Sequence, residues 1–203
     1  MKLTWNGHSC FTLETAEGSV VLDPYADGQV PGLAPLRLRA DMVLCSHEHR
    51  DHNAREVVTL TGNTPAFGVE TISTFHDPEN GALRGENTIH IVTAEGKRIV
   101  HMGDIGHPLS AEQARAVGTP DVLMIPVGGY YTVDAVTAKG ICDALKPRTV
   151  VPMHYRGPGF GYDVIAPVTD FTALFDRVTV LATNILDLNA APSGVVVLRC
   201  PVN

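Results

Sequence analysis

The sequence has no basic tract, no two cysteines in a CxxC spacing, and no apolar run long enough to span a bilayer. Each absence removes a class of function. Fifteen Lys and Arg stand against 22 Asp and Glu, a formal net charge of −7, so the basic surface that phosphate backbones need is missing. Nucleic acid is therefore not the expected partner. Cys10, Cys45, Cys142 and Cys200 are scattered, the last three in apolar contexts where buried thiols are common. Neither a disulfide framework nor a thiolate metal site is expected. The opening "MKLTWNGHSCFTLET" lacks a continuous apolar stretch ahead of a small-residue cleavage site and reads as the first strand of a fold. A cytoplasmic protein is the expectation. Repeats and low-complexity segments are also lacking.

What is present is ordinary in bulk. With 203 residues, 44% of them hydrophobic and 18% charged, the chain fits one domain, residues 1–203, with a substantial core. Nineteen glycines and fourteen prolines imply many turns. Short runs rich in Val, Ile, Leu and Thr end repeatedly in a residue that can bind a metal or support one. "GSVVLDPY" ends in Asp23, "ADMVLCSHEH" in His47 and His49, "TISTFHDP" in His76, "KRIVHMGD" in Asp104, and "RTVVPMHY" in His154. Helices are expected over "DHNAREVVTL", "SAEQARAVG" behind a Ser110 cap, "TVDAVTAKGICDALK" behind a Thr or Asp cap, and "VTDFTALFDRV". "TAEGKR" reads as a hairpin turn. The mixture predicts an α/β layered fold with helices outside mixed sheets and a ligand crevice at the strand ends.

The densest signal is "SHEHRDH", residues 46–52. A lone HxH is as often a solvated turn as a ligand pair. Here His47 and His49 can project to one side of an extended turn, while Asp51 and His52 run on into the start of a helix and face a second ion. This loop completes neither site, because a divalent ion needs three or four N, O or S ligands. The missing ones are on hand at distant strand ends, in His76, Asp104 and His154. That combination weighs heavily against a decorative turn.

The motifs "WNGHS", "VLDP", "SHEHRDH", "FHD", "HMGD", "VGGYYT" and "PMH" run in one order from residue 5 to residue 154. In that order the chain resembles the metallo-β-lactamase superfamily, in particular its small bacterial metal-dependent hydrolases related to ascorbate-phosphate lactonases. It is also similar in motif order to the phospholipase D acting on N-acyl phosphatidylethanolamines. The resemblance implies a four-layer αββα sandwich with a dinuclear centre at one edge. His47, His49 and His76 would hold one divalent ion, Asp51, His52 and His154 the other, and Asp104 would bridge them. Zinc is the first expectation, with manganese, iron and nickel compatible with the same ligands. Asp51, Asp104 and His154 would be the catalytic residues, around a bridging hydroxide. Asp23 would orient a ligand imidazole from behind, the competing reading being an Asp-Pro turn. Di-iron members place a glutamate where this chain has His49, which removes support for redox chemistry.

Other candidates are less constrained. His8 either contacts a ligand or substrate or is a packed loop residue. His90 and His101 read as structural or surface histidines, and His107 is not expected to be a ligand. Thr132 is expected to cap a helix behind the "VGG" turn. Arg156 follows His154 in a glycine-rich loop and can hold a carboxylate or phosphate, although an exposed arginine is the commoner case. The implied activity is hydrolysis of an ester, lactone or phosphoester in a small anionic substrate. The alternatives are a nuclease or phosphodiesterase of the same fold, a mononuclear iron dioxygenase acting on thiols, and a metal-binding protein without activity. The sequence sets no oligomeric state.

Overall fold

Alternation of apolar side chains builds the first sheet. A computed structural model describes residues 1–202 of the chain. In it, β1 (Lys2–Gly7), β2 (Cys10–Thr15) and β3 (Gly18–Leu22) form an antiparallel meander. The opening segment is thus two strands, not one. Leu3, Trp5, Phe11, Leu13, Val20 and Leu22 enter the main core, whereas Cys10 and Val21 point to a smaller apolar cluster on the opposite face. That is the period of two expected for a sheet buried on both sides. β4 (Leu38–Ala40) precedes β5 (Met42–Leu44), which pairs parallel to β3.

The segment after the histidine cluster is not a helix. It makes one 3-10 turn at Arg55–Val57 and then β6 (Val58–Leu60), which pairs with β4 in a two-stranded sheet. The β-branched run Val57, Val58 and Thr59 prefers an extended chain, and pairing with β4 secures it.

The second sheet begins with the antiparallel β7 (Gly68–Phe75), β8 (Glu86–Ala94) and β9 (Lys97–His101), with "TAEGKR" as the expected turn between the last two. It then becomes parallel through α1 (Ala111–Val117), β10 (Val122–Pro126), α2 (Ala135–Leu145) and β11 (Thr149–Met153). α1 starts on a capping box in which Ser110 Oγ accepts from Gln113 N at 3.1 Å and Gln113 Oε1 accepts from Ser110 N at 2.9 Å. Asp134 caps α2, accepting from Thr137 N at 2.8 Å, so Thr132 is not the cap. Ala138, Ile141, Cys142 and Leu145 bury one face of α2 on the main core at helical spacing. α3 (Val168–Thr172) is shorter than expected and has no side-chain cap. β12 (Val178–Val180), β13 (Ile185–Asp187) and β14 (Gly194–Val197) follow.

The strand orders are β13-β1-β2-β3-β5 and β12-β14-β11-β10-β9-β8-β7. Strands after residue 154 therefore complete both sheets. Residues of both sheets share one core, so the sheets stack face to face. Helices α1, α2 and α3 connect strands of the seven-stranded sheet. The outer face of the five-stranded sheet is covered by loops, the small sheet and the 3-10 turn. Among the described residues, no helix is long and apolar enough to cross a membrane.

Candidate metal centre

Six strand ends deliver polar side chains to one edge of the sandwich. His8 follows β1, Asp23 follows β3, His76 follows β7 and His154 follows β11, each directly, while His47 and Asp104 stand three residues past β5 and β9. At His8, Asp23 and His154 the backbone turns with φ of 53°, 46° and 52°. Left-handed backbone costs an L-residue about 1–2 kcal/mol, and it persists where the surrounding structure enforces it. Here it bends the chain sharply off the strand and aims each side chain along the edge.

The histidines and carboxylates converge in two groups. His47, His49 and His76 form one, and His8, Asp51, His52 and His154 form the other, with the candidate ligand atoms of each group within 4.8 Å of one another. Asp104 joins them. Its Oδ2 lies 3.3 Å from His76 Nε2 in the first group, and 3.1 Å from both His52 Nε2 and His154 Nε2 in the second. All seven residues expected to ligate metal are thus in one place. All but His49 and Asp51 are buried, and His49 is exposed at the mouth.

The atoms left without hydrogen-bond partners test whether cations fit. Five of the buried side-chain atoms without a hydrogen-bond partner belong to expected ligands, His47 Nε2, His52 Nε2, His76 Nδ1, His154 Nδ1 and Asp104 Oδ1, and the others are on His8, Ser9 and His90. Buried polar atoms are nearly always satisfied, and a concentration of orphans on imidazoles and a carboxylate suits divalent cations. The charges point the same way. Burial, with His52 beside it, pushes His47 down to about 3, keeping a lone pair free. Burial opposes a charged His52, but Asp104, Asp23 and Asp51 around it hold its pKa well above the ordinary imidazole value. Burial also opposes charge on Asp104, yet His154 and His52 hold that carboxyl well below the usual range.

Asp23 organises two of the expected ligands from behind. It is fully buried, its Oδ2 accepts from Ser46 Oγ at 2.6 Å and from His52 Nδ1 at 2.8 Å, and its Oδ1 accepts from Ser46 N at 2.7 Å. Ser46 Oγ in turn accepts from His47 Nδ1 at 2.9 Å. One carboxylate thereby orients His52 directly and His47 through a hydroxyl, leaving both Nε2 atoms facing the centre. Ser46 has no distinguishing signal in the sequence beyond its place in "SHEHRDH".

Residues 2–154 match the profile of the beta-lactamase superfamily domain. The chain belongs to the metallo-β-lactamase superfamily. It is 30% identical over 190 residues to a UPF0173 metal-dependent hydrolase of Thermoplasma acidophilum, covering 77% of this chain and 84% of that one. A UPF0173 protein of Pyrococcus abyssi is 28% identical over 187 residues, covering 79% and 86%. A crystal structure of a metallo-β-lactamase superfamily protein from Thermotoga maritima shares 33% identity at a TM-score of 0.77 and covers 97% of both chains.

On this metallo-β-lactamase fold the remaining candidates separate clearly. His8 is buried, with Nε2 3.3 Å from Asp51 Oδ2 and its ring centroid 4.1 Å from that of His154. It is thus packed against two of the expected ligand residues. His101 is structural, donating from Nε2 to Ser9 O at 2.9 Å and accepting from Gly103 N at 3.1 Å. His90 is buried opposite it in the sheet. His107 accepts from Phe75 N and donates to Pro108 O, so both ring nitrogens are occupied outside the centre.

A cleft of about 550 Å³ opens over the cluster, with His49, Asp51, His76, Asp104 and His154 in its floor. Its walls include Gln29, Arg50, Arg84, Tyr131 and Tyr162. Tyr162 places its hydroxyl 3.2 Å from Asp51 Oδ2 and 3.1 Å from Gln29 O. Arg156 is not in the wall. It is exposed, and its Nε donates to Ile165 O at 2.7 Å. The glycine-rich loop turns it outward and presents Tyr162 instead.

Proposed function

We propose that this chain is a metal-dependent hydrolase that cleaves an ester, lactone or phosphoester bond in a small anionic substrate. The observation that carries this reading is the position of Asp104, one carboxylate oxygen within 3.3 Å of imidazoles from both ligand groups. His47, His49 and His76 would hold one divalent ion, and Asp51, His52 and His154 the other, with Asp104 shared. Zinc is the first candidate. Two such ions supply Lewis acidity and a water that loses its proton near neutral pH.

The protein's own groups do the rest. Asp23 and Ser46 fix the His52 and His47 rings, so the floor of the cleft is set before substrate arrives. Asp51 and His154 face the cleft, within reach of the Tyr162 hydroxyl and the His8 ring, which hold them in place. Among the described residues no serine or cysteine lines the cleft, in keeping with direct attack by water. The chain's −7 charge and the modest cleft suit a small anion better than a polynucleotide.

The experiment is a metal analysis of protein reconstituted under anaerobic and aerobic conditions, paired with a panel of aryl esters, lactones and phosphodiesters. Two ions per chain and chelator-sensitive hydrolysis are expected. A chain that never exceeds one ion would remove the dinuclear reading. A loaded chain inert to the whole panel would favour a metal-binding role without hydrolysis.

A further inference from the structure

Two clefts meet at one arginine. The cleft over the ligand cluster and a second one of about 420 Å³ share Arg84 and Tyr131 in their walls. The second cleft runs outward between the loop at residues 78–84 and the loop at residues 129–134, past the exposed Leu83 and Tyr130.

The loop that carries Arg84 has no regular structure, yet it is firmly anchored. Asp77, fully buried and directly after His76, accepts four backbone N–H groups: Glu79 at 2.8 Å, Gly81 at 3.0 Å, Leu83 at 3.1 Å and Arg84 at 2.7 Å. One carboxylate thus ties the backbone of Arg84 to the neighbour of a candidate ligand. The guanidinium carbon stands 5.8 Å from the centre of the Tyr131 ring, and Nη2 donates to Tyr130 O at 3.1 Å. The side chain is therefore held at the junction of the clefts.

Charge accounting singles it out. Arg50, the other arginine of the inner cleft, is bound by Glu56. Among the described residues, no carboxylate lies within ion-pair distance of Arg84, in a chain where acids outnumber bases. A guanidinium carries five N–H donors in a fixed fork that matches a carboxylate or phosphate. Asp134 lines the outer cleft and is already engaged as the cap of α2. Its charge repels an anion from the far wall, towards Arg84.

We propose that Arg84 is the specificity residue of this site, binding a carboxylate or phosphate that the substrate carries away from the bond being cleaved. The scissile group lies on the floor beneath, and the remainder of the substrate extends past Tyr131 into the outer cleft. The proposal rests on the hydrolase reading above for the scissile end, but the anion subsite is a separate property of Arg84 and is tested separately.

The test compares mono(4-nitrophenyl) adipate with 4-nitrophenyl hexanoate, esters that differ by a terminal carboxylate in place of a methyl group and whose spacer is too long for rapid self-cleavage. In the metal-loaded full chain, the ratio of their kcat/KM values should favour the adipate ester by about tenfold, as one charge-assisted contact allows. In Arg84→Gln that ratio should fall to about one, mainly through KM, and Arg84→Lys should retain part of it. Calorimetric titration with glutarate and with pentanoate gives a readout free of turnover, and the glutarate preference should disappear in Arg84→Gln. An unchanged ester ratio in that variant overturns the proposal. If wild type hydrolyses neither ester, the hydrolase reading suffers and the titration decides: equal glutarate preference in wild type and variant overturns the subsite, and its loss in the variant supports it.

Discussion

Asp104 is the residue on which the centre turns. Asp104→Ala takes one carboxylate away from three imidazoles at once, and loss of a group in such contact with a metal site is worth at least about a hundredfold in activity or metal affinity. His107→Ala should leave metal content intact, because that ring only ties Phe75 N to Pro108 O. Metal analysis and turnover of the two variants side by side check this, and near wild-type turnover in Asp104→Ala would sink the shared-ligand assignment. His8→Ala belongs between them. It frees Asp51 from its 3.3 Å neighbour without removing an expected ligand, so turnover should drop while the protein still takes up metal. The ligand-type residues were legible in the sequence because histidines and aspartates at strand ends are chemically conspicuous. Ser46, Tyr162 and Arg84 were not. Serine, tyrosine and arginine carry no metal signal until the fold shows that Ser46 backs the His47 ring and that Tyr162 and Arg84 line the cleft, while Arg156, two residues past His154, turns outward.

At the level of elements, the apolar runs located the strands well, since five runs ending in His or Asp correspond to β3, β5, β7, β9 and β11. The segment after residue 51 has the apolar spacing of a helix in Ala54, Val57 and Val58, but pairing of its β-branched end with β4 makes it a 3-10 turn and a strand. Loops were the least legible part, yet they hold the tightest packing around the centre. Gly106 sits against the chain at His76 and Asp77, where an added Cβ would meet Asp77 N at 2.3 Å and the His76 carbonyl carbon at 2.4 Å. Backbone against backbone cannot yield as a flexible side chain does. Gly106→Ala should therefore destabilise the fold by about 1–3 kcal/mol or more and lower metal occupancy by displacing His76. Gly140 in α2 is the contrast, with nothing within 4 Å of its would-be Cβ, so Gly140→Ala should stabilise by about 0.5–1 kcal/mol. Denaturant midpoints of both variants, with metal content for the first, test the pair; equal midpoints would mean that this loop relaxes freely.

For the whole molecule, the stacked sheets supply a large apolar core, so the chain should fold without metal while its stability should respond to metal. Binding at 100 to 1,000 times Kd adds about 3–4 kcal/mol, which in a chain of this size raises Tm by about 5–15 °C. The pH dependence of the metal-free state follows from its buried groups. Burial, reinforced by His154 for His8 and by His52 for His47, holds these imidazoles down at about 4 and about 3. The unfolded chain takes up protons at these positions below an ordinary histidine pKa of about 6.5, while the folded chain does not. Stability from both groups is thus complete above about pH 6.5 and is lost as the pH falls, by up to about 1.4 kcal/mol per pH unit for each. His52 runs the other way. Its pKa is raised in the fold by Asp104, Asp23 and Asp51 against the effect of burial, so its contribution is complete below about pH 6.5 and fades as the pH rises towards the folded value. The chelator-treated protein should therefore be most stable near pH 6.5, with Tm falling by several degrees by pH 5. Zinc should lift the curve most at neutral and higher pH, where protons no longer compete for the imidazoles. Thermal melts from pH 5 to 8, with and without zinc, decide the matter: a flat metal-free curve across pH 6.5 to 5 would contradict the buried neutral histidines, and a Tm indifferent to zinc would contradict the metal centre itself.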